Sequence, residues 1–269
     1  LRFLLPILCA ALIAPGVVIA AEPVLEFDCL VEARQSIDVR SPVEGVIEAV
    51  LVERGALVKK GQEIARLASG PERAAVNLAR SRSKMEGDVK AAQTRVEITQ
   101  KKWQRAEELV KKNFVSANAR DEAEAEYRLA EEQLRAAREN RRLAQLELKR
   151  AEEILAQRTI RSPVNGVVAE VVLHPGELAT SNQKDPIVRL QEIDPLNVEL
   201  ILPVAAFGKI REGQKAVVTL EQPVGGSYSA RVEVVDRMVD AASGTFGVRL
   251  QLPNPDGRIP AGVKCRAKF

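Results

Sequence analysis

Residues 71–157 contain no proline after Pro71 and a single glycine, Gly87. The run is dense in Ala, Glu, Lys, Arg, Gln and Leu, side chains that lose little rotamer freedom in a helix. One break is visible, at Lys111-Lys112-Asn113-Phe114-Val115-Ser116. The pattern predicts two long helices, 71–112 and 117–157, folded back on each other through a tight tip. At 1.5 Å per residue each arm reaches about 60 Å, far beyond the usual helix of a globular domain. Whatever else the chain builds must be arranged around this rod.

The apolar period predicts a coiled coil. On the second arm Ala123, Ala130, Ala137, Ala144 and Ala151 recur every seventh residue. Tyr127, Leu134, Leu148 and Leu155 follow the same step, with Arg141 breaking the ladder. Together they form one narrow a/d seam. The first arm offers Val89, Val96, Trp103 and Val110 in one ladder, and Met85, Ala92, Thr99 and Ala106 in the other. Residues off the seam are mostly charged, which reads as a solvated face. Such flanks also allow several rods to lie side by side.

Two copies of one pattern flank the rod. Arg40-Ser41-Pro42-Val43-Glu44-Gly45-Val46-Ile47 precedes it, and Arg161-Ser162-Pro163-Val164-Asn165-Gly166-Val167-Val168 follows it. The register persists at Gly55 and Gly176 and at Leu57 and Leu178, then slips by two residues at Arg66-Leu67 and Arg189-Leu190. Each copy reads as short β-branched strands separated by Pro and Gly turns. One copy is too small to bury a core. Two copies face to face make a small flattened barrel of the biotinyl/lipoyl type, with the rod inserted between its halves. From Leu196 onward the texture is strands and turns. Asn197–Leu202, Ala216–Leu220, Tyr228–Val235, Gly244–Leu252 and Val263–Phe269 are expected to form a small β-barrel, with a short helix over Val204–Ile210.

The predicted fold is therefore α+β, elongated and modular: a split lipoyl-type β domain with an inserted coiled-coil hairpin, plus a small C-terminal β-barrel. The expected segments are a signal peptide at 1–21, an N-terminal strand at 22–39 joining the barrel, and a first lipoyl half at 40–68. The hairpin follows at 69–158, the second lipoyl half at 159–193 and the barrel at 194–269. Residues 1–21 have a positive start at Arg2, an apolar core from Phe3 to Ala14 and small residues before Ala21. An uncleaved inner-membrane anchor is the competing reading, the apolar run being marginal for a span. Cys9 lies inside this segment, which leaves Cys29 and Cys265 in an exported chain. An oxidising compartment would let them pair, and two buried thiols are the alternative.

The arrangement resembles the periplasmic adaptor family, also called membrane fusion or HlyD-like proteins. The resemblance rests on the two Arg-Ser-Pro-Val-x-Gly-Val copies and on Val58-Lys59-Lys60-Gly61-Gln62-Glu63-Ile64-Ala65-Arg66-Leu67. It covers residues 24–269. It implies a non-enzymatic periplasmic adaptor in a tripartite export system, and a homo-oligomeric ring of about six copies whose contacts act together. The partners it implies are an outer-membrane channel protein and an inner-membrane transporter, of resistance-nodulation-division (RND) type or, alternatively, an ABC-type exporter. It also assigns the channel contact to the hairpin tip, because Arg105, Leu109 and Ser116 match the family's Arg-x3-Leu-x6-Ser pattern. Leu109 would be an apolar anchor, Arg105 a donor fork and Ser116 a helix N-cap, with Phe114 a further candidate.

Other readings fare worse. A free-standing coiled-coil spacer does not account for the twin halves. A lipoyl or biotinyl carrier enzyme would need its modified lysine on the turn that the hairpin replaces. His174 is the sole histidine, so no Ser-His-Asp triad or histidine metal set can be assembled. Met85 and Met238 are too few for a soft copper site and read as packing residues. No cofactor and no metal is expected. A net charge of +3 and 3% aromatic residues give no nucleic-acid footprint.

Overall fold

The computed structural model describes residues 25–180 and 185–269. The proposed signal segment, and part of the two-residue insertion in the Glu177–Pro186 loop, lie outside the described residues. In chain order the elements are β1 (Glu26–Glu32), β2 (Gln35–Val39), β3 (Gly45–Val50), β4 (Leu57–Val58), β5 (Glu63–Leu67), α1 (Gly70–Ser83), α2 (Gly87–Lys111) and α3 (Ala117–Ala156). They continue as β6 (Thr159–Arg161), β7 (Gly166–Val171), β8 (Leu178–Ala179), β9 (Val188–Glu192), β10 (Leu196–Pro203), β11 (Lys215–Leu220), β12 (Ser227–Val235), β13 (Thr245–Leu252) and β14 (Lys264–Lys268). Two compact units result, one from residues 33–194, the other from the N-terminal strand and residues 195–269.

In the first unit two four-stranded sheets face each other, in the orders β2-β9-β7-β4 and β6-β5-β3-β8. Each sheet takes two strands from before the hairpin and two from after it. Their inner faces share one core that includes Ile47, Ile64 and Leu67 from one side of the insertion and Ile160, Val168 and Leu190 from the other. The pairs are symmetric. Leu57 in β4 lies opposite Val167 in β7, and Val46 in β3 lies opposite Leu178 in β8. Neither segment has a core alone, so burial of apolar area drives them together. The two Ser-Pro turns close alike: Ser41 and Ser162 are buried, and each hydroxyl donates to the carbonyl two residues on.

The 22–39 segment does not act as one strand. Glu26–Glu32 enters the second unit, while Gln35–Val39 pairs with β9 in the first. Both stretches alternate, which marks a strand but does not name its partner. The backbone of Arg34 donates to the Glu192 carbonyl at 2.8 Å, which starts the new pairing.

Α-helices α1 and α2 run against α3, as the heptads require. Ala123, Ala130 and Leu134 are buried, and the remaining α3 seam residues, Arg141 included, are half-buried. The first arm is not one continuous helix. It breaks at Lys84-Met85-Glu86. Below the break the seam residues are Glu72, Val76, Ala79 and Ser83; above it they are Val89, Ala92, Val96, Thr99 and Trp103. The two sets differ in heptad phase by one residue, and the break absorbs that difference while α3 stays regular. Met85 thereby leaves the seam and is 69% exposed. Met238 is 85% exposed, so neither methionine packs.

Arg141 sits opposite the break. Its Nη2 donates to Glu86 at 2.7 Å. The Glu86 carboxyl is held below the usual carboxylate range, first by the hydrogen bond from Lys90 and then by the Arg141 charge. Higher on the rod Trp103 stacks on Tyr127, ring centroids 5.4 Å apart.

At the base, Arg158 locks the rod to the sandwich. Its guanidinium donates to the Glu44 carbonyl at 2.7 Å and to Glu72 of α1 at 2.6 Å. Its own carbonyl accepts from the Leu67 backbone at 2.8 Å. One residue thus ties together both places where the chain crosses between sheets and helices.

The second unit is a closed six-stranded barrel in the order β1-β10-β13-β12-β11-β14. Period-two alternation sends Val31, Val198, Leu200, Val218, Val232, Leu250 and Ala267 inward. The expected helix over 204–210 is only a 3₁₀ turn at Val204–Ala206. Cys29 lies directly opposite Cys265 on adjacent strands, with sulfurs 2.19 Å apart.

Candidate functional site

The hairpin tip is a compact helix-to-helix turn. Lys112 caps α2, and Asn113 follows with φ of 58°, in the left-handed region. The Phe114 backbone N–H returns to the Leu109 carbonyl and that of Asn113 to the Val110 carbonyl, each at 2.9 Å. This is a Schellman termination with asparagine where glycine is usual. It satisfies carbonyls that the helix end leaves open. The chain then turns at Ser116, whose side chain accepts from the Ala119 N–H at 3.4 Å to start α3.

That turn decides what the tip displays. Leu109 is 41% exposed, Phe114 73% and Val115 37%. Arg105 lies exposed one turn below Leu109, its Nε donating to the Lys101 carbonyl at 3.2 Å. Lys111 and Lys112 are exposed beside it. The end of the rod therefore presents three apolar side chains bordered by cations. Such a surface can bury anchors in a partner while donating to its carbonyls or carboxylates.

Arg105, Leu109 and Ser116 thus fall within one tip, with Ser116 acting as a helix cap. Phe114 is the exposed aromatic that the sequence suggests at the tip, whereas the exposed Val115 and the left-handed Asn113 carry no periodic signal. An asparagine directly after the last periodic residue is a helix-stop signal that could have revealed the latter. Asn113→Gly is expected to leave hairpin stability unchanged or slightly raised. Asn113→Val is expected to cost about 1–2 kcal/mol, because a β-branched residue resists positive φ. Thermal melts of the two variants check this.

Other candidate groups do not converge. His174 is exposed in a turn, where its backbone N–H donates to the Glu177 carboxylate at 2.7 Å. Among the described residues no group of three or more His, Cys, Asp or Glu is placed to hold a metal ion. No helix among them is long and apolar enough to cross a membrane.

Comparison with known proteins places this geometry. Residues 35–191 match the barrel-sandwich hybrid domain model of RND membrane fusion proteins, and residues 196–269 match a CusB-like β-barrel domain model. Multidrug resistance protein MdtE of Escherichia coli K12 is 27% identical over 238 residues, covering 84% of this chain and 58% of its own. Multidrug resistance protein MexA of Pseudomonas aeruginosa is 25% identical over 245 residues, covering 86% and 57%. The chain thus spans somewhat over half the length of these curated relatives. The crystal structure of MacA from Actinobacillus actinomycetemcomitans superposes with a TM-score of 0.73 at 21% identity, over 91% of this chain and 78% of that one, and so shares the fold.

Proposed function

The chain belongs to the RND membrane fusion protein family, and on that premise we propose that it is a periplasmic adaptor for transmembrane efflux. In this reading it links an inner-membrane RND transporter to an outer-membrane channel, as a homo-oligomer and without chemistry of its own. The observation that carries the reading is the hairpin: a two-armed rod based on a sandwich built from both flanking segments, ending in an apolar tip bordered by cations. A rigid rod can carry a docking surface far from its base, which is what spanning between two membranes requires. The RND choice follows the matching domain model rather than any residue that touches a pump.

Three finer assignments go with it. The sandwich is read as a lipoyl-type module cut in two, with halves at 40–68 and 159–193 and the barrel at 194–269. Arg105, Leu109 and Ser116 are assigned to channel contact. Cys29 and Cys265 are assigned to a disulfide formed after export, since their adjacency needs only an oxidising compartment. Intact mass before and after reduction and alkylation of the periplasmic protein checks this pair. Cysteines 29 and 265 are expected to take up alkylating reagent only after reduction, and labelling without reduction refutes the bond.

The adaptor role is tested by removing the chain from its native cell and following accumulation of a fluorescent efflux dye. Accumulation is expected to rise and to return to the original level on re-supply. Unchanged accumulation on its removal rejects the role.

A further inference from the structure

One strand of the barrel comes from elsewhere in the sequence. Strands β10 to β14 follow one another within residues 196–268, whereas β1 arrives from Glu26–Glu32. Around the wall β1 stands between β10 and β14. Withdrawing it leaves β10-β13-β12-β11-β14 as an unbroken five-stranded sheet. The other strands are tied to their sequence neighbours by short connections, so β1 is the one that can leave with the rest in place.

Its non-covalent hold is modest. The inward side chains of β1 are Phe27, Cys29 and Val31, and Phe27 is half-buried. Its neighbour β10 buries Leu196, Val198, Leu200 and Leu202. Towards β14 its ion pairs, Asp28 with Arg266 and Glu26 with Lys268, are exposed and contribute little. Ladder hydrogen bonds can be exchanged for bonds to water at small net loss. Seating β1 against β14 also closes a very long loop, because Cys29 and Cys265 are 236 positions apart. Against these terms stands the bond from Cys29 in β1 to Cys265 in β14, both buried.

We propose that this bond is a redox latch on the barrel. Oxidised, it holds β1 in the wall. Reduced, β1 exchanges out and the barrel opens to the five-stranded sheet. Closing the latch passes two electrons and two protons from the two thiols to a disulfide oxidant, which becomes a dithiol. A dithiol reductant runs the exchange backwards and closes into its own disulfide. The open form leaves β10 and β14 with unpaired edges. It is a local opening, confined to the segment with the fewest buried contacts. Closure of the barrel is thereby made conditional on an oxidising compartment.

The inference rests on the disulfide assigned above and adds what the bond does. It is tested by hydrogen exchange of the full chain, with intact mass reporting the state of the bond. Dithiothreitol is the reductant. On reduction, amides of β1 and of the facing edges of β10 and β14 are expected to exchange about a hundredfold faster. Those of β12, β13 and the hairpin are expected to keep their rates. Cys29→Ala with Cys265→Ala removes the bond without reductant and is expected to give the same regional pattern. Unchanged exchange in β1, or equal acceleration across all six barrel strands, overturns the latch. Either result, in a chain whose mass shows the bond, leaves the disulfide and the adaptor role standing. Two free thiols in the periplasmic protein overturn the bond and the latch together.

Discussion

Leu109→Asp is expected to abolish dye efflux while leaving the hairpin folded. Leu109 is already 41% exposed, so a polar replacement removes little buried area from the fold. Its role in ending α2 is played by its backbone carbonyl, which accepts from Phe114 whatever the side chain is. At a partner surface the change is far more costly. An apolar anchor seated in a pocket contributes about 2 kcal/mol or more, and a buried carboxylate in its place adds a desolvation penalty. That corresponds to at least about thirtyfold weaker docking per tip. In the proposed homo-oligomer the loss would recur in every copy, so multivalent docking would fail as a whole. Arg105→Asp is expected to act similarly by reversing the charge beside that anchor, whereas Leu109→Ile should retain most efflux. The checks are efflux, helical circular dichroism and the level of protein in the periplasm. Normal efflux by the aspartate variants at wild-type abundance removes the tip from the mechanism.

Gly166→Ala is expected to destabilise the sandwich by about 3 kcal/mol, the upper end of overpacking costs. A β-carbon at this position would overlap the Gln191 carbonyl oxygen, which belongs to the neighbouring strand β9. Backbone cannot yield there without breaking the β7–β9 pairing. Gly45 occupies the same place in the other copy of the motif, and its new β-carbon would meet the end of the Arg158 side chain instead. A flexible side chain can move aside, so Gly45→Ala is expected to cost about 1 kcal/mol. Part of that cost is the disturbed clasp on Glu44 and Glu72. Thermal unfolding of both variants gives the comparison. Equal losses would mean that the two halves treat these glycines alike.

The contrast between Gly45 and Gly166 separates what is written locally from what is not. The motif copies are close to identical in sequence, and both serine hydroxyls close their turns in the same way. What each glycine faces depends on chain more than twenty residues away. The same holds at the tip. Its position between two helices was legible from the break in pattern, whereas Arg105, Leu109 and Ser116 are singled out only by the family resemblance. The exposure of Val115 and the left-handed turn at Asn113 came from how the helix ends.

The sequence by itself determined the hairpin, the seam of α2 and α3, the twin β segments and the barrel strands. Each is encoded by a period of two or three to four residues, and side chains that near in sequence feel one helix face or one strand face directly. Tertiary structure alone decided that Gln35–Val39 leaves the barrel strand for β9, that the first arm breaks at residues 84–86, and that Arg158 clasps the rod's base. In each case the deciding contact joins groups 55 to 157 positions apart, as Arg141 joins Glu86 and Gln35 joins Glu192. Lys84-Met85-Glu86 are good helix formers, but Gly87 directly after them is a poor one, and the break they share shifts the seam by one residue against an unbroken α3. Local preference sets which elements can form, and burial against distant partners sets where they stop and what they meet.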